Sequence, residues 1–436
     1  WDLLKIAGLR APEGHRWIFF GDYLSLRGPG FGTEYDYVGR DLFGQAGYRD
    51  PVSGIAERPE WDQPFRGFAR IYGLWDKGED VLGGDRGVQP GYDSPRGRLQ
   101  WQQNGDLYEY GTTYLRLMAQ AEYLSDPNFL EQYYKLEFET QPNQESFLYL
   151  NGATGNLFGS ALLQKNIRRP WVTETEALPE FKGALIGEQF FDLFTYSARA
   201  GGAYYQYRPA DPTLLPPPLY ITDQQDVDTA RLHLNQRLSL PFDFGPFRFD
   251  PYGVLDTAYY SEDLTGNDTG RLYAGGGSRA SLSFSRLYRE MDSELLNLHG
   301  INHKISYGAN YFAAHSNTRF TQLPQLDRLN DDATDLAYRT ARNAYLRNFL
   351  LLQADPVGNR AILTPEKDQA LAQSPIFDPQ RYAIRRLTPD RVDTLDSIQV
   401  LQLDVRQRLQ TKRGFPGAEH TIDWITLDLS MSVYPD

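Results

Sequence analysis

Two histidines are the residues of this chain best spaced to bind a metal ion. His299 and His303 lie four residues apart, which puts them on one face of a helix and also on one face of a regular strand. The rest of that face is apolar, and no carboxylate at metal-ligand spacing completes a zinc site. The chain has no cysteine, which excludes iron–sulfur clusters, Cys-ligated zinc and disulfide bonds. The sequence therefore predicts no metal and no cofactor.

No catalytic motif rises above the background of an acidic chain. Gly275, Gly276 and Gly277 lack the Lys-Ser/Thr of a phosphate-binding loop, and no Gly-x-Ser-x-Gly elbow is present. Glu262 and Asp263 form an acidic pair such as a glycosidase uses, but a chain with 57 Asp and Glu supplies such pairs by chance. We therefore expect a protein that is not an enzyme. A soluble carbohydrate-active β protein stays open as an alternative, and it would need paired carboxylates in an aromatic cleft.

The charge and the hydropathy of the chain narrow the class of protein. The formal net charge is −13, which argues against a nucleic-acid partner because such binding depends on Lys and Arg. The mean hydropathy is −0.54, and no apolar run approaches the ~18 residues of a membrane helix. Transmembrane strands are also hydrophilic on average, since every second residue faces a polar lumen. Aromatic residues make up 14% of the chain, and Tyr and Trp favour a membrane interface.

Apolar and polar residues alternate over windows of about ten residues, which is the period of a β-strand. The clearest windows are residues 114–123, 194–204, 231–240, 271–285, 301–311 and 425–433. Membrane-spanning strands need ~9–11 residues, whereas soluble strands are commonly ~5–6 long. The apolar faces are rich in Ala, Gly, Leu and Tyr, with aromatic residues near the strand ends, as in an aromatic girdle. The predicted fold is all-β, a large antiparallel transmembrane β-barrel with a meander topology.

The polar faces of these strands supply the residues expected to face a lumen. They are Arg116, Gln120, Glu122, Arg199, Arg231, His233, Asn235, Arg237, Arg279 and Lys304. Their guanidinium and ammonium groups suit an anionic saccharide. A structural role is open for each of them, since a lumen cation also pairs with neighbouring carboxylates.

Turn signals and composition divide the chain into segments. Asn104-Gly105 predicts a tight hairpin between two alternating runs. Residues 1–330 are assigned to barrel strands and loops, and residues 395–436 to further strands. Residues 331–394 are charged and partly helix-prone, with apolar residues at helical spacing in 341–352, and they predict a partly helical loop insertion, with a disordered surface insertion open as the alternative.

Several segments in order resemble the barrel part of the LptD (OstA/Imp) family of lipopolysaccharide-assembly outer-membrane proteins. The first is residues 123–133, where Ser125, Asp126 and Phe129 follow a long strand as in that family. The second runs from residues 231–240 to the aromatic pair Tyr259-Tyr260, and the third covers residues 271–290 and 300–312. The resemblance covers roughly residues 17–312, and it lapses from 313 to 395.

The resemblance implies a non-enzymatic translocon in the outer membrane of a Gram-negative cell. Proteins of that family insert lipopolysaccharide into the outer leaflet through a polar lumen and a lateral gate. The implied partners are lipopolysaccharide, an LptE-like plug lipoprotein, the periplasmic Lpt bridge proteins that dock on an N-terminal jelly-roll, and outer-membrane lipids. An outer-membrane porin or uptake receptor stays open as an alternative.

The chain departs from the family pattern in three respects. No jelly-roll pattern precedes residue 17, the cysteines found in some members are absent, and residues 432–436 do not form a terminal aromatic strand. We therefore expect an interior piece of a longer barrel protein, with the N-terminal jelly-roll and the last strands absent.

Overall fold

The strands of this chain form one large antiparallel sheet. The computed structural model describes residues 8, 14–39, 64–82, 87–140, 145–167, 170–172, 174–209, 211, 226–327, 392–414 and 419–435. The long strands are β1 (His15–Leu24), β2 (Gly28–Gly39), β3 (Phe65–Leu74), β6 (Arg96–Tyr110), β7 (Thr113–Leu124), β8 (Phe147–Thr154), β9 (Leu157–Gln164), β10 (Glu174–Phe190), β11 (Phe194–Arg208), β12 (Val227–Ser239), β14 (Phe247–Tyr260), β15 (Thr269–Ser293), β16 (Leu298–Ser316), β17 (Ile398–Arg413) and β18 (His420–Val433). Three short strands are β4 (Asp80–Val81), β5 (Val88–Gln89) and β13 (Phe242–Phe244).

The sheet has 16 strands, and its long strands pair in chain order from β1 to β18. Strand β13 pairs only with β14, while β4 and β5 form a separate two-stranded sheet within the connection after β3. The prediction of an all-β, antiparallel meander is therefore confirmed. Among the described residues, β1 and β18 are the two ends of the sheet and are not paired with each other.

Short turns and long connections separate to opposite ends of most strands. Residues 111–112, 155–156, 191–193 and 294–297 are turns at one end, whereas residues 75–95, 125–146, 209–226 and 317–397 connect strands at the other. The first two connections are the exception: the short turn 25–27 lies at the end with the long connections, and the long connection 40–64 lies at the end with the short turns. We call the end that carries residues 75–95 and 125–146 the long-loop end.

The hairpin predicted at Asn104-Gly105 is wrong. Strand β6 passes straight through both residues, which pair with Phe65 and Arg66 of β3, and its turn lies at Gly111, where φ is +59°. A Cβ at Gly105 would collide with the Phe65 ring. The glycine is needed there for a close approach between strands, so the dipeptide carries no turn.

The two faces of the sheet have opposite chemistry, and the apolar face is the exposed one. In β12, Leu232, Leu234 and Leu238 are exposed, whereas Arg231 on the other face is only 2% exposed. In β18, at the edge of the sheet, both faces are exposed, and the apolar face carries Ile425, Leu427, Leu429, Met431 and Val433. Buried charged groups collect on the polar face, among them Arg96, Arg98, Glu122, Glu180, Asp256 and Arg271. This distribution is the reverse of the one in a soluble domain, where apolar side chains are buried.

Apolar residues of the loops pack where they fold onto the long-loop end of the sheet. Helices Phe129–Tyr133 and Lys135–Thr140 follow β7, and the first buries Phe129 and Leu130 against Tyr72 and Leu74. A second cluster joins Leu323, Leu326 and Val392 to Tyr205 and Tyr260, among others. In the described part of the chain, no helix is long and apolar enough to cross a bilayer.

The predicted insertion 331–394 and its boundaries lie mostly outside the described residues. Within it, Val392, Asp393 and Thr394 are described, and all three are buried. They lead directly into β17, so this end of the segment packs on the sheet. The division of the chain at residues 330 and 395 stays a prediction.

Candidate functional site

The residues predicted to face a lumen lie on one continuous face of the sheet. The strand register opposes Arg116 to Asn151, Asn151 to Ser160, Ser160 to Lys182, Lys182 to Gly201, Gly201 to His233, His233 to Ala258 and Ala258 to Arg271. Directly opposed residues share a face, and residues two positions apart on a strand share it too. This face, which we call the polar face, therefore includes Arg116, Gln120, Glu122, Arg199, Arg231, His233, Asn235, Arg237, Arg279 and Lys304. That it lines a lumen stays a prediction.

Arg96, at the start of β6, is the centre of a buried ion cluster at the long-loop end. Its Nε and Nη2 donate to both oxygens of Asp126 at 2.9 and 2.8 Å. Its Nη1 donates to Asp76 Oδ2 and to Asp80 Oδ1, both at 2.7 Å. Arg27 adds a second cation, 3.0 Å from Asp76. We call these five residues the Arg96 cluster; Arg96 and Asp80 lie in β6 and β4, and the other three lie in connections between strands.

The Ser-Asp-x-x-Phe motif that carried the family resemblance is part of this cluster. Ser125 Oγ donates to Asp126 at 2.7 Å and accepts the backbone N–H of Gly97 at 2.9 Å. Phe129 is fully buried, and its ring lies 5.3 Å from that of Tyr133. The motif therefore fastens the first turn of the loop after β7 to the start of β6, which is a structural role in the described contacts.

Hydrogen bonds hold the carboxyl of Asp76 ionised inside the Arg96 cluster. Burial alone would raise its pKa, but Tyr133 Oη, the backbone N–H of Gly78 and Arg96 all donate to it, and the pKa is lowered. Burial and the neighbouring Asp76 carboxylate in turn raise the pKa of Tyr133, which keeps its hydroxyl protonated as a donor.

Arg231 is the centre of a second buried cluster, on β12. Its Nη1 donates to Asp327 Oδ1 and to Asp393 Oδ1, both at 2.7 Å, and its Nη2 donates to Tyr205 Oη at 3.0 Å. Tyr260 Oη donates to Asp393 at 2.5 Å. We call these five residues the Arg231 cluster.

Backbone amides complete the Arg231 cluster and tie two remote segments together. Asp393 Oδ2 accepts the N–H groups of Leu326 and Asp327 at 2.7 and 2.9 Å, while Asp327 Oδ2 accepts the N–H of Asp393 at 2.8 Å. Burial, followed by the neighbouring Asp393 carboxylate, raises the pKa of Asp327 to about 6, although Arg231 acts in the opposite direction.

Two further arginines of the polar face share one aromatic ring. The guanidinium of Arg237 lies 4.2 Å and that of Arg279 5.2 Å from the ring centroid of Tyr252. Arg237 also lies 3.9 Å from Asp250. Two cations therefore share the ring of one tyrosine, and the Asp250 carboxylate contacts Arg237 only at a long distance. This leaves much of their positive charge available.

The remaining predicted residues differ in how strongly they are held. Glu122 is buried and accepts from Gln100 and Gln120 at 3.0 and 3.1 Å, so it is part of a polar network. Arg116 pairs with Asp106 at 3.0 Å but is half exposed. Asn235 donates to Asp256, and Lys304 is exposed on β16.

His299 and His303, the two histidines best spaced to bind a metal ion, do not form a metal site with other side chains of the described residues. His299 Nδ1 contacts Asp292 at 2.9 Å. Three steps along β16, from His299 to Asn302, oppose two steps along β17, from Lys412 to Gln410, and this bulge breaks the alternation on which a shared face depended. Within the described residues, no group of three His, Asp or Glu side chains is arranged to hold a metal ion.

Sequence reasoning missed the carboxylates that the buried arginines contact. Asp76, Asp80, Asp327 and Asp393 lie in connections, where acidic residues are ordinary, and nothing local distinguishes them. One usable signal was the position of Arg96 and Asp126 directly at the ends of β6 and β7, which antiparallel pairing brings together.

Comparisons with known proteins add little to this picture. No protein-family model and no curated protein sequence matches the chain. Among solved structures, the chain is similar to a bacterial polysaccharide outer membrane secretin, with 8% sequence identity, 97% of each chain covered and a TM-score of 0.29. A TM-score at this level carries no argument about function, so the proposals below rest on the chain's own geometry.

Proposed function

We propose that this chain forms part of the wall of an outer-membrane β-barrel through which lipopolysaccharide passes to the outer leaflet, without a catalysed reaction. The proposal rests on one observation above all, which is the exposed apolar face opposite a polar face with buried charges. A sheet facing lipid needs an apolar exterior, and an interior filled with water or sugar needs polar groups.

The strand lengths support a membrane location. Strands β6, β7, β10, β11, β12, β14 and β17 have 15, 12, 17, 15, 13, 14 and 16 residues. A tilted strand crosses the hydrocarbon core with ~9–11 residues, so each of these strands is long enough. Their backbone groups pair with two neighbours, which removes the cost of unpaired amides in lipid.

The charge of the polar face supports an anionic glycolipid as the cargo. Lys182, Arg199, Arg237 and Arg279 lie on neighbouring stretches of that face, and Arg237 and Arg279 share a ring of Tyr252. Phosphorylated sugars bind such cations, while the acyl chains of lipopolysaccharide would stay against the apolar side. The resemblance to the LptD family gives the same cargo and adds an LptE-like plug lipoprotein, periplasmic Lpt bridge proteins and outer-membrane lipids as proposed partners.

Membrane location is tested first, by fractionation and by gel migration with and without heating. We expect the protein in the outer-membrane fraction and a faster, compact band in the unheated sample. A protein that stays in the supernatant with unshifted migration would overturn the barrel and favour the soluble carbohydrate-active alternative.

The cargo is tested separately by depleting the protein and labelling lipopolysaccharide at the cell surface. We expect surface lipopolysaccharide to fall while small-solute uptake is unchanged. Normal surface lipopolysaccharide with reduced solute uptake would replace the translocon with a porin or uptake receptor.

A further inference from the structure

A hollow of about 320 Å³ lies on the polar face between β7 and β12. The side chains that matter in its lining are Tyr149, Asn151, Ser160, Lys182, Arg199 and His233. Its volume is at the lower end of the range for small-molecule sites. It lies apart from the Arg96 cluster and shares no residue with the Arg231 cluster.

The strand register places five residues of the polar face in one row at this hollow. Asn151, Ser160, Lys182, Gly201 and His233 oppose one another in sequence across five strands. Gly201 has no side chain, and a Cβ there would collide with the imidazole of His233, whose ring lies over the glycine. The imidazole of His233 therefore fills the space over Gly201 and bounds the hollow on the β12 side.

Two cations, Arg199 and Lys182, flank the hollow, and few carboxylates neutralise their charge. Arg199 has no hydrogen bond or ion pair in the described part of the chain, although it is half-buried. Lys182 pairs with Glu180 at 3.0 Å and keeps 37% of its side chain exposed. The two residues are diagonal neighbours across β10 and β11, which places them ~7–8 Å apart at the backbone. By contrast, Arg96 and Arg231 are fully used by carboxylates.

A partly desolvated guanidinium without a partner is better suited to binding an anion than to stabilising the fold. Its charge is costly where water is limited, and the oxygens of an incoming phosphate would accept charge-assisted, bidentate hydrogen bonds from it. Lys182 reaches the same space and would contact the same anion as a point charge.

The other lining groups favour a sugar attached to that anion. Asn151 offers an amide and Ser160 a hydroxyl, which are partners for sugar hydroxyl groups. The ring of Tyr149 provides an apolar surface with a polar end, suited to the face of a sugar ring.

We propose that this hollow is a subsite for one phosphorylated hexose unit, with Arg199 and Lys182 on the phosphate and Tyr149, Asn151 and Ser160 on the ring. The subsite rests on the proposed function for its physiological ligand, since the phosphorylated sugars of a glycolipid would meet it during passage. The same chemistry fits a free sugar phosphate.

The test measures binding of glucose 1-phosphate to the full chain in detergent micelles by ligand-observed NMR, beside glucose and inorganic phosphate. We expect glucose 1-phosphate to bind at least fivefold more tightly than either of the other probes. Arg199→Gln and Lys182→Gln should each lower the affinity for glucose 1-phosphate by fivefold or more and change the affinity for glucose by less than twofold. Arg199→Lys should restore only part of the affinity lost in Arg199→Gln, because it keeps the charge but not the bidentate hydrogen bonds.

Arg406→Gln is the matched control, since Arg406 lies on the same face in β17, opposite Ser306 and far from the hollow. Its affinity should stay within twofold of the parent. Equal losses in Arg406→Gln and Arg199→Gln would overturn the subsite in favour of diffuse charge. Unchanged affinity in Arg199→Gln, or inorganic phosphate that binds as tightly as glucose 1-phosphate, would overturn it as well. Each variant is first shown to keep the heat-shifted band of the folded protein.

The two proposals fail separately. Binding at the hollow together with normal surface lipopolysaccharide after depletion would reject the translocon and keep a sugar-phosphate site that serves free solutes. Loss of surface lipopolysaccharide after depletion together with no binding at the hollow would keep the translocon and reject this subsite.

Discussion

Arg96 and Arg231 each join carboxylates from connections that are remote in the sequence, and both guanidinium groups are buried. A buried ion pair gains little over a well-packed apolar group, but removing one partner leaves the others charged and unpaired. The Arg96 cluster sets three carboxylates against two cations, so the loss of Arg96 is especially unfavourable. The function of these arginines in the described contacts is to fix loops over the long-loop end.

Replacing Arg96 therefore tests the cluster directly. Arg96→Met should lower the free energy of unfolding by about 3–5 kcal/mol, because Asp76, Asp80 and Asp126 lose their shared partner. Arg116→Met is the control, since its pair with Asp106 is half exposed and such pairs contribute about 0–1 kcal/mol. Urea unfolding in micelles measures both, and similar losses in the two variants would contradict the role given to Arg96.

Asp327 should make stability fall as the pH rises. Its pKa is raised in the folded state to about 6 from an ordinary 3.8, so the folded chain holds this proton more tightly than the unfolded chain. The stabilisation is complete below about pH 4 and is lost as the pH rises through about 6, at most about 3 kcal/mol. The groups around it are Arg231, Asp393, Tyr205 and Tyr260.

Asp327→Asn removes the titrating group and keeps the shape of the side chain. Urea unfolding between pH 4.5 and 7 should therefore show a flatter dependence in the variant than in the parent. Equal slopes in the two proteins would assign the pH dependence to other groups.

The helix Phe129–Tyr133 is the element that covers the Arg96 cluster. Its five residues are too few for a stable isolated helix, so tertiary contacts must hold it. Phe129 supplies those contacts, since it is fully buried and its ring lies 6.4 Å from that of Tyr72 on β3. The cover and the sheet are therefore one packed unit at this end of the strands.

Shortening Phe129 should release this cover. Phe129→Ala should cost about 3–5 kcal/mol of unfolding free energy and speed amide exchange in residues 129–134. Leu136→Ala, in the next helix, changes a side chain that is 75% exposed and should stay within about 0.5 kcal/mol. Unchanged amide exchange in Phe129→Ala would show that other contacts hold the helix.

Strand faces could be predicted from the sequence because period 2 is local. Arg231, His233 and Asn235 alternate with exposed leucines, and the structure keeps that alternation. The partners of Arg231 could not be predicted, because Asp327 and Asp393 lie 96 and 162 residues away. The turn at Asn104-Gly105 failed for another reason, since a glycine that serves a ring contact resembles one that serves a turn.

Across the whole sheet, the distribution of apolar and charged side chains is the reverse of that in a soluble protein. Its exposed face carries large apolar side chains on strands from β1 to β18, and its buried face carries paired and unpaired charges. A single exposed leucine is ordinary, but alternation that repeats over strands of membrane-spanning length is not. The net charge of −13 then belongs to loops and the polar face, which explains how a hydrophilic chain is compatible with a bilayer.

Neighbouring residues of β18 distinguish a bilayer from water. Leu429 is on the apolar face and 56% exposed, opposite Val405 near the middle of β17, while Ser430 is on the polar face opposite Asp404. If the apolar face meets lipid, Leu429→Arg should lower the free energy of unfolding from phospholipid vesicles by about 2–4 kcal/mol, because a charge near the midplane is poorly solvated. Ser430→Arg should change it by less than about 1 kcal/mol, since its charge lies beside a carboxylate on the polar side. Reversible unfolding from vesicles measures both, and a Leu429→Arg variant as stable as the parent would mean that water, not lipid, covers this face.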